Sequence, residues 1–233
     1  MIADRALLFD LDGTLTDNYA GIAASIRYAL SRLDAQMPGD STLKSCVGPP
    51  LRESFARLLG NDDPTRVESA IVHYRERFAD IGWRENIIYD GVADLLAALA
   101  ATGQRLFVCT AKPEIFARRI VTHFGIAPCF QGVYGADLAG AFDDKAVLLR
   151  HALDREQLGA GNAIMIGDHG NDIRAAHKNG LRAVGVLWGY GSREELADAD
   201  ALAVDTRGLA RLLAGEIETR AATTRAAQSS EYL

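Results

Sequence analysis

The stretch Ala6-Leu7-Leu8-Phe9-Asp10-Leu11-Asp12-Gly13-Thr14-Leu15-Thr16-Asp17 opens on four apolar residues and breaks at once into acidic and small polar ones. A short apolar run without polar alternation, stopped by turn-forming residues, marks a strand buried on both faces of a parallel sheet. Three later runs repeat the pattern: Leu106 to Cys109 before Thr110, Ala163 to Ile166 before Gly167-Asp168, and Ala183 to Val186. Helical periodicity covers Pro113 to Phe124, Lys145 to Leu153 and Asp172 to Asn179, the last closed by Gly180. Strand and helix in alternation predict an α/β fold with a doubly wound parallel sheet.

Phe9 and Leu106 are too far apart for one crossover, because a strand-helix-strand unit takes about 30 residues. The surplus reads as helices. Ile22, Ile26, Leu30 and Leu33 fall on one face, as do Leu51, Phe55, Leu58 and Leu59, and then Val67, Ile71, Tyr74 and Phe78. Asp63-Pro64 supplies a start for the last of these, since proline suits the first helical turn. The expected organisation is an α/β core over 1–17 and 90–215, an inserted helical cap over 18–89, and a polar tail over 216–233. The core resumes near Asp90-Gly91 with a helix from Val92 to Ala101, for which Gly103 supplies a stop.

Composition narrows the function classes. With 48% hydrophobic and 24% charged residues the 233-residue chain has the balance of a folded globular protein, which disfavours disorder and fibrous repeats. A net charge of −6 lacks the basic field that gives nucleic-acid binding its affinity. Cys46, Cys109 and Cys129 are odd in number and form no close pair, which argues against a disulfide framework and a structural zinc site and fits the reducing cytoplasm. No apolar stretch reaches the ~18 residues a membrane span needs, so neither membrane insertion nor secretion is expected.

In open α/β sheets ligands sit outside the carboxyl ends of the strands. Asp10 and Asp12 follow the first run, and residues two apart in extended chain can face one pocket. Two adjacent carboxylates repel, and that arrangement needs a proton or a cation, for which Mg²⁺ with its oxygen ligands is suited to phosphate chemistry. Thr110, followed by Ala111 and Lys112, offers a hydroxyl and backbone N–H groups to a phosphoryl oxygen. The third run ends in Gly167-Asp168-His169-Gly170-Asn171-Asp172, which puts two more carboxylates at a strand-to-helix turn. Each signal alone occurs in ordinary turns, but their coincidence at three strand ends is hard to assign to turn chemistry.

On these residues the sequence resembles the haloacid-dehalogenase superfamily of hydrolases, in its branch with a helical cap, over nearly the whole chain to about Leu213. Val47-Gly48-Pro49-Pro50-Leu51-Arg52 and Gly185-Val186-Leu187-Trp188-Gly189-Tyr190-Gly191 are similar to phosphoglycolate-phosphatase-like members. The resemblance implies a Mg²⁺-dependent phosphatase acting on a small phosphorylated metabolite. Asp10 would be the nucleophile, Asp12 the general acid and base, and Thr110 the phosphate holder. The metal would lie on Asp10, Asp168 and the Asp12 backbone carbonyl, with Asp172 acting through water. A phosphate-orienting lysine is also implied, and only Lys44, Lys112, Lys145 and Lys178 are available. Lys145, opening a core helix, is preferred, with Lys112 in reserve because Ala146 stands where the family often has proline. Gly13, Ala111 and Lys112 complete the expected phosphate-binding set, and Arg52 is a candidate for a substrate carboxylate.

Rival readings fare worse. Cys46 to Arg52 has the Cys-x5-Arg spacing of cysteine-dependent phosphatases, but Pro49 and Pro50 bring no N–H to a phosphate cradle. Gly185 to Gly191 does not match a dinucleotide fingerprint. Dehalogenation needs no protonated leaving group and leaves Asp12 without a task, whereas a sugar-phosphate mutase would use the same aspartates. A catalytically silent binding module is disfavoured because Asp10, Asp12, Thr110 and Asp168 are all present. Phosphoglycolate is the first substrate expected, with nucleoside monophosphates, sugar phosphates and pyrophosphate as alternatives.

Overall fold

The computed structural model describes residues 5–60, 63–137 and 142–215. The chain runs from β1 (Ala6–Phe9) and β2 (Thr16–Asp17) into four helices, α1 (Tyr19–Arg32), α2 (Asp40–Lys44), α3 (Leu51–Leu59) and α4 (Pro64–Asp80), and returns through β3 (Ile87–Ile88). Then follow α5 (Val92–Ala101), β4 (Leu106–Pro113), α6 (Glu114–His123), β5 (Gly132–Ala136) and α7 (Lys145–Arg155). The last elements are β6 (Ala163–Gly167), α8 (Gly170–Lys178), β7 (Arg182–Val186), β8 (Ala201–Ala203) and α9 (Thr206–Ala214). The region 216–233, expected to be a polar tail, lies outside the described residues.

Six strands form one parallel sheet in the order β5-β4-β1-β6-β7-β8, the α/β architecture that the alternation predicts. β1 lies at its middle because the chain first builds outward to β5 and then restarts on the other side of β1 with β6. That reversal creates the crevice in which ligands bind in such sheets. Each β1 residue is at most 1% exposed. Leu7 and Phe9 enter the cluster packed with α5, α6 and α9, and Ala6 and Leu8 enter the opposite one with α7 and α8. All four predicted runs are strands of this sheet. β4 runs on past Cys109 to Pro113, and its register against β5 shifts between Thr110 and Pro113. A bulge of this kind re-aims side chains at a strand end.

The helices between β2 and β3 enclose an apolar cluster of their own, including Ile22, Ile26, Leu30, Phe55, Val67 and Ile71. It is joined to the sheet layer by aromatic contacts. Tyr74 and Phe78 stack with centroids 5.4 Å apart, and Phe78 meets Phe116 of α6 edge-on at 5.1 Å. Asp63 caps α4 by accepting from the Thr65 N–H at 3.0 Å, with Pro64 in the first turn. Of Leu51, Phe55, Leu58 and Leu59 on α3, Phe55 is fully buried and the three leucines, partly buried, pack against the same cluster, so the four share the inward face. Among the described residues no helix is long and apolar enough to cross a membrane, and the three cysteines are free.

Candidate active site

Three carboxylates converge at the carboxyl ends of β1 and β6. Asp10 follows β1 directly, its N–H donating to the Ile166 carbonyl at 2.9 Å and continuing the strand pairing. Asp168 follows β6, and Asp172 stands in the first turn of α8, where its Oδ2 accepts from the His169 N–H at 3.1 Å. All three are buried, and one oxygen from each lies within 4.8 Å of the others. Lys145, first residue of α7, brings its Nζ to Asp10 Oδ1 at 2.7 Å and also pairs with Asp172. Burial opposes the charge of Lys145, but Asp10 and Asp172 outweigh it and hold the ammonium well above the ordinary lysine range.

Three carboxylates against one ammonium leave the pocket with excess negative charge. Burial, and then the charges of Asp10 and Asp172, push the Asp168 carboxyl up to about 8. Burial likewise raises Asp172, against the opposing pull of Lys145. An all-oxygen donor set with uncompensated negative charge fits a hard divalent cation such as Mg²⁺. The residues around Asp168 fix its position. Thr14 Oγ1 donates to Oδ1 at 3.1 Å and the Tyr190 N–H to Oδ2 at 2.8 Å. Gly13 has a φ of +87°, and a side chain there would collide with the Asp168 carboxylate, so both conformation and space demand glycine.

Asp12 stands apart from this triad, because its carboxylate is committed to Lys112, with Oδ2 2.7 Å from Nζ and both side chains largely buried. The β4 bulge delivers Lys112 to that position. Its N–H donates to Thr110 Oγ1 at 3.3 Å, and its Nζ lies 4.5 Å from the centre of the Phe78 ring. Burial raises the Asp12 carboxyl above the usual carboxylate range, Lys112 opposes that, and Asp10 reinforces it. The two lysines that sequence reasoning weighed against each other thus occupy different places, Lys145 at Asp10 and Lys112 at Asp12. Asp172, expected to act through water, brings a carboxylate oxygen within 4.8 Å of those of Asp10 and Asp168.

Asp10, Asp12, Thr110, Ala111, Lys112 and Lys145 face a cavity of about 500 Å³, roofed by Tyr74, Arg75 and Phe78 of α4 and by the segment from Cys46 to Glu53. Arg52 reaches its rim, 64% exposed and ion-paired with Glu68 across from α3 to α4. Cys46 and Arg52 form no common cradle: the thiol donates to the Thr42 carbonyl at 3.3 Å while Arg52 turns to Glu68. Cys109 is an inert buried thiol, raised by burial to about 12. His73, His123, His151 and His177 all lie within helices, whereas His169 lines the cavity beside Asp168. Sequence reasoning missed Thr14, Arg75 and the pairing of Asp12 with Lys112. Thr14, in the same short stretch as the two aspartates, was the one with a usable signal.

The family model described as haloacid dehalogenase-like hydrolase matches residues 7–186. The chain is 44% identical over 190 residues to the 5'-nucleotidase of Pseudomonas aeruginosa, covering 82% of this chain and 86% of that one. It is 32% identical over 208 residues to the phosphoglycolate phosphatase of Rhodospirillum rubrum, covering 86% of each. Among solved structures it superposes on a predicted phosphatase from Clostridium acetobutylicum with a TM-score of 0.86 at 38% identity, covering 91% of this chain and 98% of the other. With the sheet order, the strand-end carboxylates and a match over most of its length in agreement, the chain belongs to the haloacid dehalogenase-like hydrolase family.

Proposed function

We propose that the protein is a Mg²⁺-dependent phosphatase of small phosphate monoesters that works through an aspartyl-phosphate on Asp10. The observation that carries this reading is the arrangement at Asp10: a buried carboxylate at the central strand end, held by Lys145, beside two further carboxylates and open to a cavity that Asp12 shares. Asp10, Asp168 and Asp172 would hold Mg²⁺, which when bound offsets the repulsion between a carboxylate nucleophile and a phosphate dianion. Asp10 attacks phosphorus, and Asp12 protonates the departing alkoxide, a poor leaving group at neutral pH. Asp12 then takes a proton from the water that hydrolyses the acyl phosphate. Its burial among apolar groups suits the protonated role and Lys112 suits the ionised one. Lys145 and Thr110 orient the non-bridging oxygens.

The leaving group is chosen by the cavity. 2-Phosphoglycolate is the first substrate proposed, from the Cys46 to Glu53 segment and the relatives that carry that name. A nucleoside monophosphate is a second reading, favoured by a cavity of about 500 Å³ with an aromatic wall at Tyr74 and Phe78, ample for a base and sugar. Three free cysteines suit a cytoplasmic site of action. The test is Asp10→Asn with p-nitrophenyl phosphate and Mg²⁺. A fall in kcat of at least about a thousandfold is expected, and turnover near wild type would remove Asp10 as nucleophile.

A further inference from the structure

α4 carries three arginines, two of which have hydrogen-bond partners. Arg66 donates to the Leu33 carbonyl at 3.3 Å, and Arg77 holds Glu85 through both terminal nitrogens at 2.7 and 2.9 Å. Arg75 is different. It lines the cavity above Asp10 and Asp12, its Nε is shielded from solvent without a hydrogen bond, and among the described residues it has no ion pair or ring contact. The other cations of the cavity are committed or exposed: Arg52 to Glu68, Lys112 to Asp12, Lys145 to Asp10 and Asp172, Arg174 to Asn171, while Lys178 is exposed.

A guanidinium N–H taken out of water and left unbonded is unfavourable, and in Arg75 that group lines a cavity from which a ligand can supply the missing acceptor. The Nε–H and a terminal N–H of arginine form a planar two-pronged edge, matched to the two oxygens of a carboxylate or phosphate. Arg75 shares its helix face with Tyr74 and Phe78, whose stacked rings form an apolar wall, and Phe78 in turn lies under Lys112. A ligand entering this space meets the phosphoryl machinery at one end and an unsatisfied cation in the roof.

We propose that Arg75 is the residue that reads the leaving group, and that the substrate carries a second oxyanion, remote from the phosphoryl group accepted by Asp10. This rests on the phosphatase reading above. The shared chemistry is an oxyanion, a carboxylate or a further phosphate, and two ester pairs separate those sources. One pair is 2-phosphoglycolate with 2-hydroxyethyl phosphate, the other 1,3-propanediol bisphosphate with 3-hydroxypropyl phosphate. Wild type is expected to prefer the doubly anionic member of one pair in kcat/KM, and the pair that shows the preference identifies the source. Arg75→Gln should shrink that ratio roughly ten- to hundredfold, chiefly through KM, with Arg75→Lys recovering part of it. No preference in either pair for wild type, or a uniform fall on all four esters with the ratio kept, overturns the assignment. Calorimetric binding of 2-phosphoglycolate and of the bisphosphate to wild type and Arg75→Gln needs no turnover. If no ester is hydrolysed the phosphatase reading fails, and this binding comparison still decides Arg75: weaker binding in the variant supports it, and equal affinity for both probes overturns it.

Discussion

Lys112 has two neighbours that pull in different directions: the carboxylate of Asp12 and the ring of Phe78. The ion pair outweighs the ring, because a buried carboxylate without a cation is far costlier than a lost ring contact. Lys112→Met should therefore destabilise the fold by about 3 kcal/mol, with most of it recovered when Asp12→Asn is added, as read by denaturant melts. Failure of the second change to restore stability would place the effect elsewhere than in the pair. The four aspartates of the site were legible from sequence because each directly follows an apolar run or stands in the next turn, where the carboxyl end of a strand must be. Arg75 was not, since its significance is an Nε–H without a partner among the described residues, which only packing creates. Arg52, the cap arginine that the sequence singles out, is ion-paired with Glu68 from the neighbouring helix.

α4 joins the helical insertion to the sheet layer through aromatic contacts. Phe78 is 2% exposed and packs on both Tyr74 and Phe116, so Phe78→Ala should cost about 3–5 kcal/mol in thermal or denaturant unfolding. Within the insertion a further contact is electrostatic: Arg77 holds the Glu85 carboxyl below the usual glutamate range. A carboxyl lowered in the folded state stabilises above its unfolded pKa, and that contribution fades as pH falls through the folded value. Glu85→Gln should thus unfold more easily than wild type at pH 7, by about 0.5 kcal/mol for a partly exposed pair, with the gap closing in acid. A gap independent of pH would show that the charge is not its source. At this scale the central strands were legible because both faces are buried. β5, reading Gly-Val-Tyr-Gly-Ala, and β8, with Ala201 and Leu202 only half-buried, are edge strands whose weak apolar signal hides them. β2 and β3 are two residues each, too short to leave a pattern.

For the molecule as a whole, the buried carboxylates oppose folding unless a cation joins them. Mg²⁺ binding the folded state alone should raise Tm, and EDTA should lower it. Asp168→Asn is expected to remove most of the Mg²⁺-induced rise while raising Tm in EDTA at pH 7, because a carboxyl that burial and its neighbours push up to about 8, far above its unfolded value, costs the fold stability there whether it is held protonated or charged. Thermal scans with and without Mg²⁺ check both halves, and a lower Tm in EDTA for the variant would show that this carboxyl carries no such cost. The presence of an insertion was legible at this scale, since no single crossover fills the distance from Phe9 to Leu106. How it is attached was not. Thr16 pairs with Ile88 and Asp17 with Ile87, so the chain departs and comes back through adjacent residues. A gene with that joint can exchange one set of helices for another, or shorten it to a turn from Asp17 to Ile87, while every strand of the sheet keeps its neighbours. Selectivity can then be reinvented over generations as a replaceable part, on chemistry that is simply inherited.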